Sequence, residues 1–505
     1  MDSLALLACA LMFEIAAGQS PPGPPPMSSA IEAPTIGTPA IAAPAIETAD
    51  PESTRNTVSA DWDARLQQLE AAVYGAPSGG GPPPDWSTIG GAFPVCDTAS
   101  DPGGGAEAEV EPSHLVIYDG GWILRPDVVS RTPFELKFEL HNQFRYTAFE
   151  QSGGIWVDAA GNQRFISDRN DFDINRGRLV FSGFAFEPAL KFYANIDYST
   201  VASNPIQPLL AWISYDIGED LRLYCGLGKV PGTWEWQQTS RYTLGVDRTL
   251  ATTFFRPSIS AGVWANGSIT DDLFFTAFVG DGFNTLSLRA DDLDTRLLYS
   301  LLTWYEPWGG FGVGFSDLEF HRKPAVRVGH AITTTRNESA PNSDPGAEGT
   351  VIRLSDGTRL VDPGALVPGE RVNEFDIWLY SAHAGWKYRG YSVTGETFFR
   401  WLRNLTGTGG SEFESIFDHG YFVQAATFAI PESLEFFTRG SQVFGDHGSG
   451  GEVSLGANWY PYQQRGARLT FELTDVNDSP AQQSRTGYVA GGDGILFRMQ
   501  LWTFF

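Results

Sequence analysis

The sequence predicts an all-β fold, a 16-stranded antiparallel transmembrane β-barrel, preceded by a short N-terminal helix of coiled-coil character. Three observations lead there. Segments of apolar/polar alternation recur from residue 134 to residue 505, and a period of two is the pattern of a strand with one apolar face. The connections between these segments are alternately long and short. No run of about 20 apolar residues occurs, so no membrane-crossing helix is predicted.

The first strand sets the pattern. In FELKFELHNQFRYTAFE (134–150), Phe134, Leu136, Phe138, Leu140, Phe144 and Tyr146 share one face, and Glu135, Lys137, Glu139, His141, Gln143 and Arg145 share the other. Similar segments follow near 172–187, 189–200, 208–217, 221–230, 256–268, 272–281, 294–306, 310–321, 372–387, 389–403, 418–430, 433–443, 451–461, 466–476 and 494–505, sixteen in all. Even-numbered segments are followed by tight connections with turn chemistry, such as Glu187-Pro188, Gly218-Glu219-Asp220 and Pro431-Glu432. Odd-numbered ones are followed by long loops, of which 322–371 is the longest. A sandwich has no reason to sort its loops by end, whereas a transmembrane barrel has short turns on one side and longer loops on the other. Lipid offers the backbone no hydrogen-bond partner, so such a sheet closes on itself. The mean hydropathy of −0.17 fits, because only alternate residues meet lipid. In 172–187, Arg176 and Arg178 share parity with Phe172, Phe184 and Phe186, which predicts a bulge or an inward apolar patch there.

The remainder divides by composition. Residues 1–18 read as a signal peptide: an apolar run, LALLACALMF at 4–13, precedes small residues at 16–18. Residues 19–60 form a Pro/Ala-rich linker and 76–113 a Gly/Pro-rich one. Between them, 61–75 reads as a short coiled-coil helix with Trp62, Leu66, Leu69 and Val73 on its seam. The barrel region is taken as 114–505.

The formal net charge of −26 argues against nucleic-acid binding. Cys9, Cys96 and Cys225 are too scattered for a metal site, and the seven His show no ligand spacing. No cofactor, metal or catalytic residue is predicted, since the chain has no GxSxG motif and no Walker loop. DRNDFDIN (168–175) matches a calcium loop in composition alone.

The runs NRGRLVFSGFAF (175–186), YCGLGKVP (224–231) and FRMQLWTFF (497–505) resemble the phosphate-selective porin O and P family of trimeric, sixteen-stranded outer-membrane channels. The resemblance covers roughly 130–505. It implies a bacterial outer-membrane location, a homotrimer, lipid around the barrel, and passage of small hydrophilic solutes or anions. The terminal Phe505 is similar to the signal by which such proteins are recognised for insertion. The resemblance also implies that the loop after the fifth strand, 231–255, folds inward and narrows the lumen. That loop contains no Lys, unlike the family's. From Lys229 to Arg256 the sequence has Lys229, Arg241, Arg248 and Arg256 against Glu235 and Asp247. With Arg176, Arg178, Lys191 and Arg222, these cations are the expected anion path, because guanidinium forks suit phosphate and basic rings favour anions. The alternatives to a channel are a barrel that anchors the long loop 322–371 as a surface structure and, behind it, an outer-membrane hydrolase; the N-terminal region is a candidate for cell-wall contact.

Overall fold

The computed structural model describes residues 114–126, 132–201, 206–338 and 351–505, all within a compact unit spanning Val110–Phe505. The expected signal peptide, linkers and seam residues Trp62, Leu66, Leu69 and Val73 lie outside the described residues.

Two short hairpins accompany the barrel: β1 (His114–Tyr118) with β2 (Trp122–Pro126), and β4 (Ile155–Val157) with β5 (Gln163–Phe165). The wall is built from β3 (Phe134–Gln151), β6 (Arg169–Ala185), β7 (Glu187–Tyr198), β8 (Ile206–Ile217), β9 (Leu221–Lys229), β10 (Ile259–Thr270), β11 (Leu273–Gly280) and β12 (Leu298–Tyr305). It continues through β13 (Ala325–Asn337), β14 (Val372–Tyr388), β15 (Tyr391–Gly407), β16 (Ile416–Ile430), β17 (Leu434–Gly445), β18 (Gly448–Trp459), β19 (Ala467–Asn477) and β20 (Gly494–Phe504). Each wall strand pairs antiparallel with the next, and β20 pairs with β3, so the barrel is closed with 16 strands.

Closure answers the backbone problem directly. Gly494↔Gln151 through Phe504↔His141 is one continuous ladder. Phe505 extends it, exchanging two backbone hydrogen bonds with Leu140, at 2.7 and 3.1 Å. Below that point β2 takes over the same edge of β3, with Trp122 opposite Phe138 and Leu124 opposite Leu136.

Alternation sorts side chains as the sequence pattern predicts. On β20, Arg498, Gln500 and Trp502 are buried, while Ile495 and Leu501 are exposed on the outer face. Phe144, Ile213, Val263, Tyr299, Val423, Val453 and Leu473 are likewise exposed outward. A closed sheet with an apolar outer face is a membrane-spanning structure. No helix among the described residues is long and apolar enough to cross a membrane. The predicted bulge is present: the β3–β6 register shifts between Gln143 and Phe144, which leaves Phe172 outside and Arg176 inside. Cys225 is exposed and unpaired.

Residues 310–321 are not the ninth strand. Phe311 and Phe315 alternate because both turn inward and bury against Trp234, and Gly312 and Gly314 take the left-handed backbone (φ +72° and +68°) that an extended strand excludes. The ninth wall strand is β13, inside the stretch expected to be loop 322–371, so the outer connection is 338–371. Its outward face carries His330 and Thr334 among apolar residues, which hides its alternation. The segment 306–324, placed at the short-turn end, folds under the barrel instead. It donates Phe315 N–H to Tyr242 O (3.3 Å), and Val313 O and Ser316 O accept from Arg465 between β18 and β19 (3.3 and 3.4 Å).

The lumen is therefore unevenly filled. A core cluster joins inward residues of β14–β17 (Phe375, Ile377, Leu379, Phe398, Phe422, Val443) to Leu250, Ala251 and Phe255 of the loop after β9 and to Ile352, Leu354 and Leu360 of the loop after β13. That half is a packed interior. On the other side, from lower β3 to β10, inward Lys137, Glu139, Lys191, Tyr193, Trp212, Arg222, Tyr224 and Trp264 stay partly exposed.

Candidate functional site

The loop after β9 crosses the lumen. It carries one helical turn, α1 (Trp234–Gln237), a 3₁₀ turn at Ser240–Tyr242, and α2 (Leu250–Phe255). Thr249 caps α2, its side chain accepting from Thr252 N–H. Such a loop places unpaired backbone amides inside a membrane-spanning barrel, where each needs an acceptor. The wall supplies them as carboxylates. Glu396 on β15 accepts from Trp234 N–H (2.6 Å) and Glu235 N–H (3.1 Å). Glu472 on β19 accepts from Val246 N–H (3.0 Å), and Glu452 on β18 from Leu250 N–H (2.9 Å). Loop carbonyls are met by cations: Arg468 donates to Thr243 O (2.7 Å) and Arg439 to Asp247 O (2.6 Å). Sequence reasoning did not single out Glu396, Glu452 or Glu472 as loop anchors. Their signal is a carboxylate at an inward mid-strand position, which needs donors from something inside the barrel.

Asp247 is the electrostatic hub. Arg176 grips it with both terminal nitrogens (2.6 and 3.1 Å) and Arg145 adds a third contact (3.1 Å). Burial alone would raise its carboxyl, but the guanidiniums of Arg176, Arg145 and Arg248 outweigh it and hold Asp247 well below the usual carboxylate range. Glu235 goes the other way: burial pushes its carboxyl up against the pull of Arg439 and hydrogen bonds from Thr252 and Thr249.

The eight cations expected along the anion path fall into two groups. Arg176 is spent on Asp247. Arg178 pairs with Asp197 (3.0 Å), while Lys191 (2.6 Å) and Arg222 share Asp216. Arg248 donates to Gln238 O (2.8 Å) and lies 3.8 Å from Asp247. Lys229, Arg241 and Arg256 pair with no carboxylate among the described residues. Lys229 is held by the carbonyls of Trp236, Gln237 and Gln238 (2.9, 3.3 and 2.8 Å). Arg241 lies over Tyr242 and Phe504 (4.8 and 4.9 Å). The Trp236 ring gathers Lys229 (5.1 Å), Arg248 (4.6 Å) and Arg256 (4.8 Å), cation–π contacts that hold the charges without neutralising them. Burial and the neighbouring Arg248 bring Arg256 down to about 9, so it stays protonated at neutral pH. The lumen thus presents cations whose charge is not cancelled nearby, in a chain of strongly negative total charge.

No family model and no curated protein matches the chain. Solved structures with a similar fold include the in-vitro folded OmpT of Vibrio cholerae, an outer membrane protein in trimer form (10% identity, 73% of this chain and 99% of that one, TM-score 0.46). Others are the outer membrane channel DcaP of Acinetobacter baumannii (10%, 74% and 97%, 0.45) and Salmonella typhi OmpF in complex with daunomycin (12%, 77% and 100%, 0.45). Likenesses this distant describe fold alone.

Proposed function

We propose that the protein is a porin of the bacterial outer membrane, a passive diffusion channel for small hydrophilic solutes that prefers anions at the constriction made by 231–258. The observation that carries this reading is the pair Arg241 and Arg256, guanidiniums without a carboxylate partner among the described residues. A dehydrated constriction lined by uncancelled cations lowers the energy of an anion and raises that of a cation. The short-turn end faces the periplasm in this reading. The assembly is a homotrimer, with the heptad at 62–73 as an added association element.

Planar-bilayer recording in a KCl gradient tests it. Stepwise ohmic openings with a reversal potential of anion-selective sign are expected. Arg241→Ala combined with Arg256→Ala should move that potential toward zero; an unmoved potential rejects the assignment. The filled half of the lumen favours a second reading, a plugged barrel that anchors its outer loops. A correctly folded, heat-modifiable barrel without conductance would select it.

A further inference from the structure

The partly open side of the lumen carries a feature that anion selectivity does not use. Tyr193 on β7, Trp212 on β8, Tyr224 on β9 and Trp264 on β10 occupy inward positions on four neighbouring strands. Their rings form one continuous series, with centroids 5.2 Å apart from Tyr193 to Trp212, 5.0 Å to Tyr224 and 5.0 Å to Trp264. All four are partly exposed. A water-filled passage gains nothing from four large aromatic side chains in a row, which order the water beside them without hydrogen-bonding through their faces. The stripe also starts beside charge. Asp197, on the same inward face of β7 as Tyr193, pairs with Arg178 (3.0 Å), and Arg178 in turn donates to Ser240, next to Arg241 (3.3 Å).

We propose that this side of the lumen binds small anions that carry an aromatic ring, with the anionic group at Arg241 and the ring against Tyr193, Trp212, Tyr224 and Trp264. This rests on the anion-selective reading of the channel. Cations alone select for charge and accept chloride, phosphate and acetate alike. An adjoining aromatic surface adds stacked or edge-to-face contacts that need a ring on the solute. The anionic group can be a carboxylate or a phosphate ester, since a guanidinium fork serves both.

The test is made on the full chain in planar bilayers, with benzoate and acetate as one pair of probes and phenyl phosphate and inorganic phosphate as the other. Benzoate should block the chloride current at about tenfold lower concentration than acetate, the factor that a pair of aromatic contacts supplies. The phosphate pair, run the same way, says which anionic group the site prefers. Trp212→Leu and Trp264→Leu, prepared separately and accepted only if KCl conductance and heat-modifiability are retained, should each shrink the ring preference and leave chloride selectivity unchanged. Equal block by benzoate and acetate, together with equal block by the two phosphates, in an anion-selective channel overturns this inference and leaves the porin reading standing. A cation-selective channel overturns the anion reading and the inference with it.

Discussion

The two halves of this barrel use the same residue types for opposite ends. From β14 to β20 inward charged residues are buried and spent on one another or on the loops: Arg439 and Arg498 both reach Glu472, at 2.7 and 3.1 Å, Arg400 reaches Asp418 at 2.6 Å, and Glu396 and Arg468 hold loop amides and a loop carbonyl. At the short-turn ends of β7, β8 and β9 inward charges stay partly wet, with Lys191, Asp216 and Arg222 at 33%, 24% and 37% exposure. The difference is what lies opposite. The loops 231–258 and 351–371 and the in-turned segment 306–324 fill one side, and every amide and carbonyl they carry there must be matched. Charge in the packed half is therefore structural, and charge in the open half is available to solutes.

Glu472→Ala should break the packed half hardest. It strands Arg439 and Arg498 and frees Val246 N–H, at a cost of about 3–5 kcal/mol. Denaturant unfolding of the detergent-solubilised barrel measures it; a loss under about 1 kcal/mol would mean that this half is hydrated rather than packed.

Asp247 gives the pH signature of the same half. Its folded-state carboxyl lies well below the ordinary range. Its stabilising contribution is therefore full above the unfolded value near 3.9, and is lost as pH falls from there through the depressed value. Glu235, raised by burial, relieves strain on protonation and opposes the trend. Conductance should become noisy only below about pH 4, as the loop loosens, and Asp247→Asn should show the same noise at neutral pH. A quiet Asp247→Asn channel would remove Asp247 as the hub.

Gly385 tests how tightly the loop start is seated. A Cβ on it would lie 2.7 Å from Phe311 Cζ and 2.8 Å from Trp234 Cη2, so Gly385→Leu forces both the loop and the in-turned segment away. Overpacking of this kind costs about 1–3 kcal/mol and should change single-channel conductance as well. Unchanged conductance would mean that neither segment shapes the passage.

How much of this was legible differs by half. Strand parity was readable wherever lipid imposes it, because one face must be apolar: Arg498 and Gln500 point inward as their alternation says, and the clash of Arg176 with Phe172 marks a true bulge. Residues inside the lumen were harder. Phe311 and Phe315 alternate like a lipid-facing strand yet bury on Trp234, and Ala325–Asn337 has its outward apolar face interrupted by His330, Thr334 and Arg336. The partners of Asp247 and of Glu396 lie far away in sequence, fixed by a loop path that no local pattern encodes. Arg176 and Arg248 were thus expected to meet solute and are instead occupied in holding the loop.

The smallest effect is expected in the open half, and it separates the two halves most cleanly. Asp216 receives Lys191 and Arg222, an arrangement that resembles the Glu472 pair in chemistry and differs from it in exposure. Water screens the charges and solvates whichever partner is left, so Asp216→Asn should cost no more than about 1 kcal/mol. Function should respond where stability does not. Removing the carboxylate leaves Lys191 and Arg222 uncancelled beside the aromatic series, which should raise anion selectivity in a KCl gradient, and more so at low salt because these charges face solvent. A stability loss as large as that of Glu472→Ala would show that this side too is packed, and the division between a structural and a conducting half would fail.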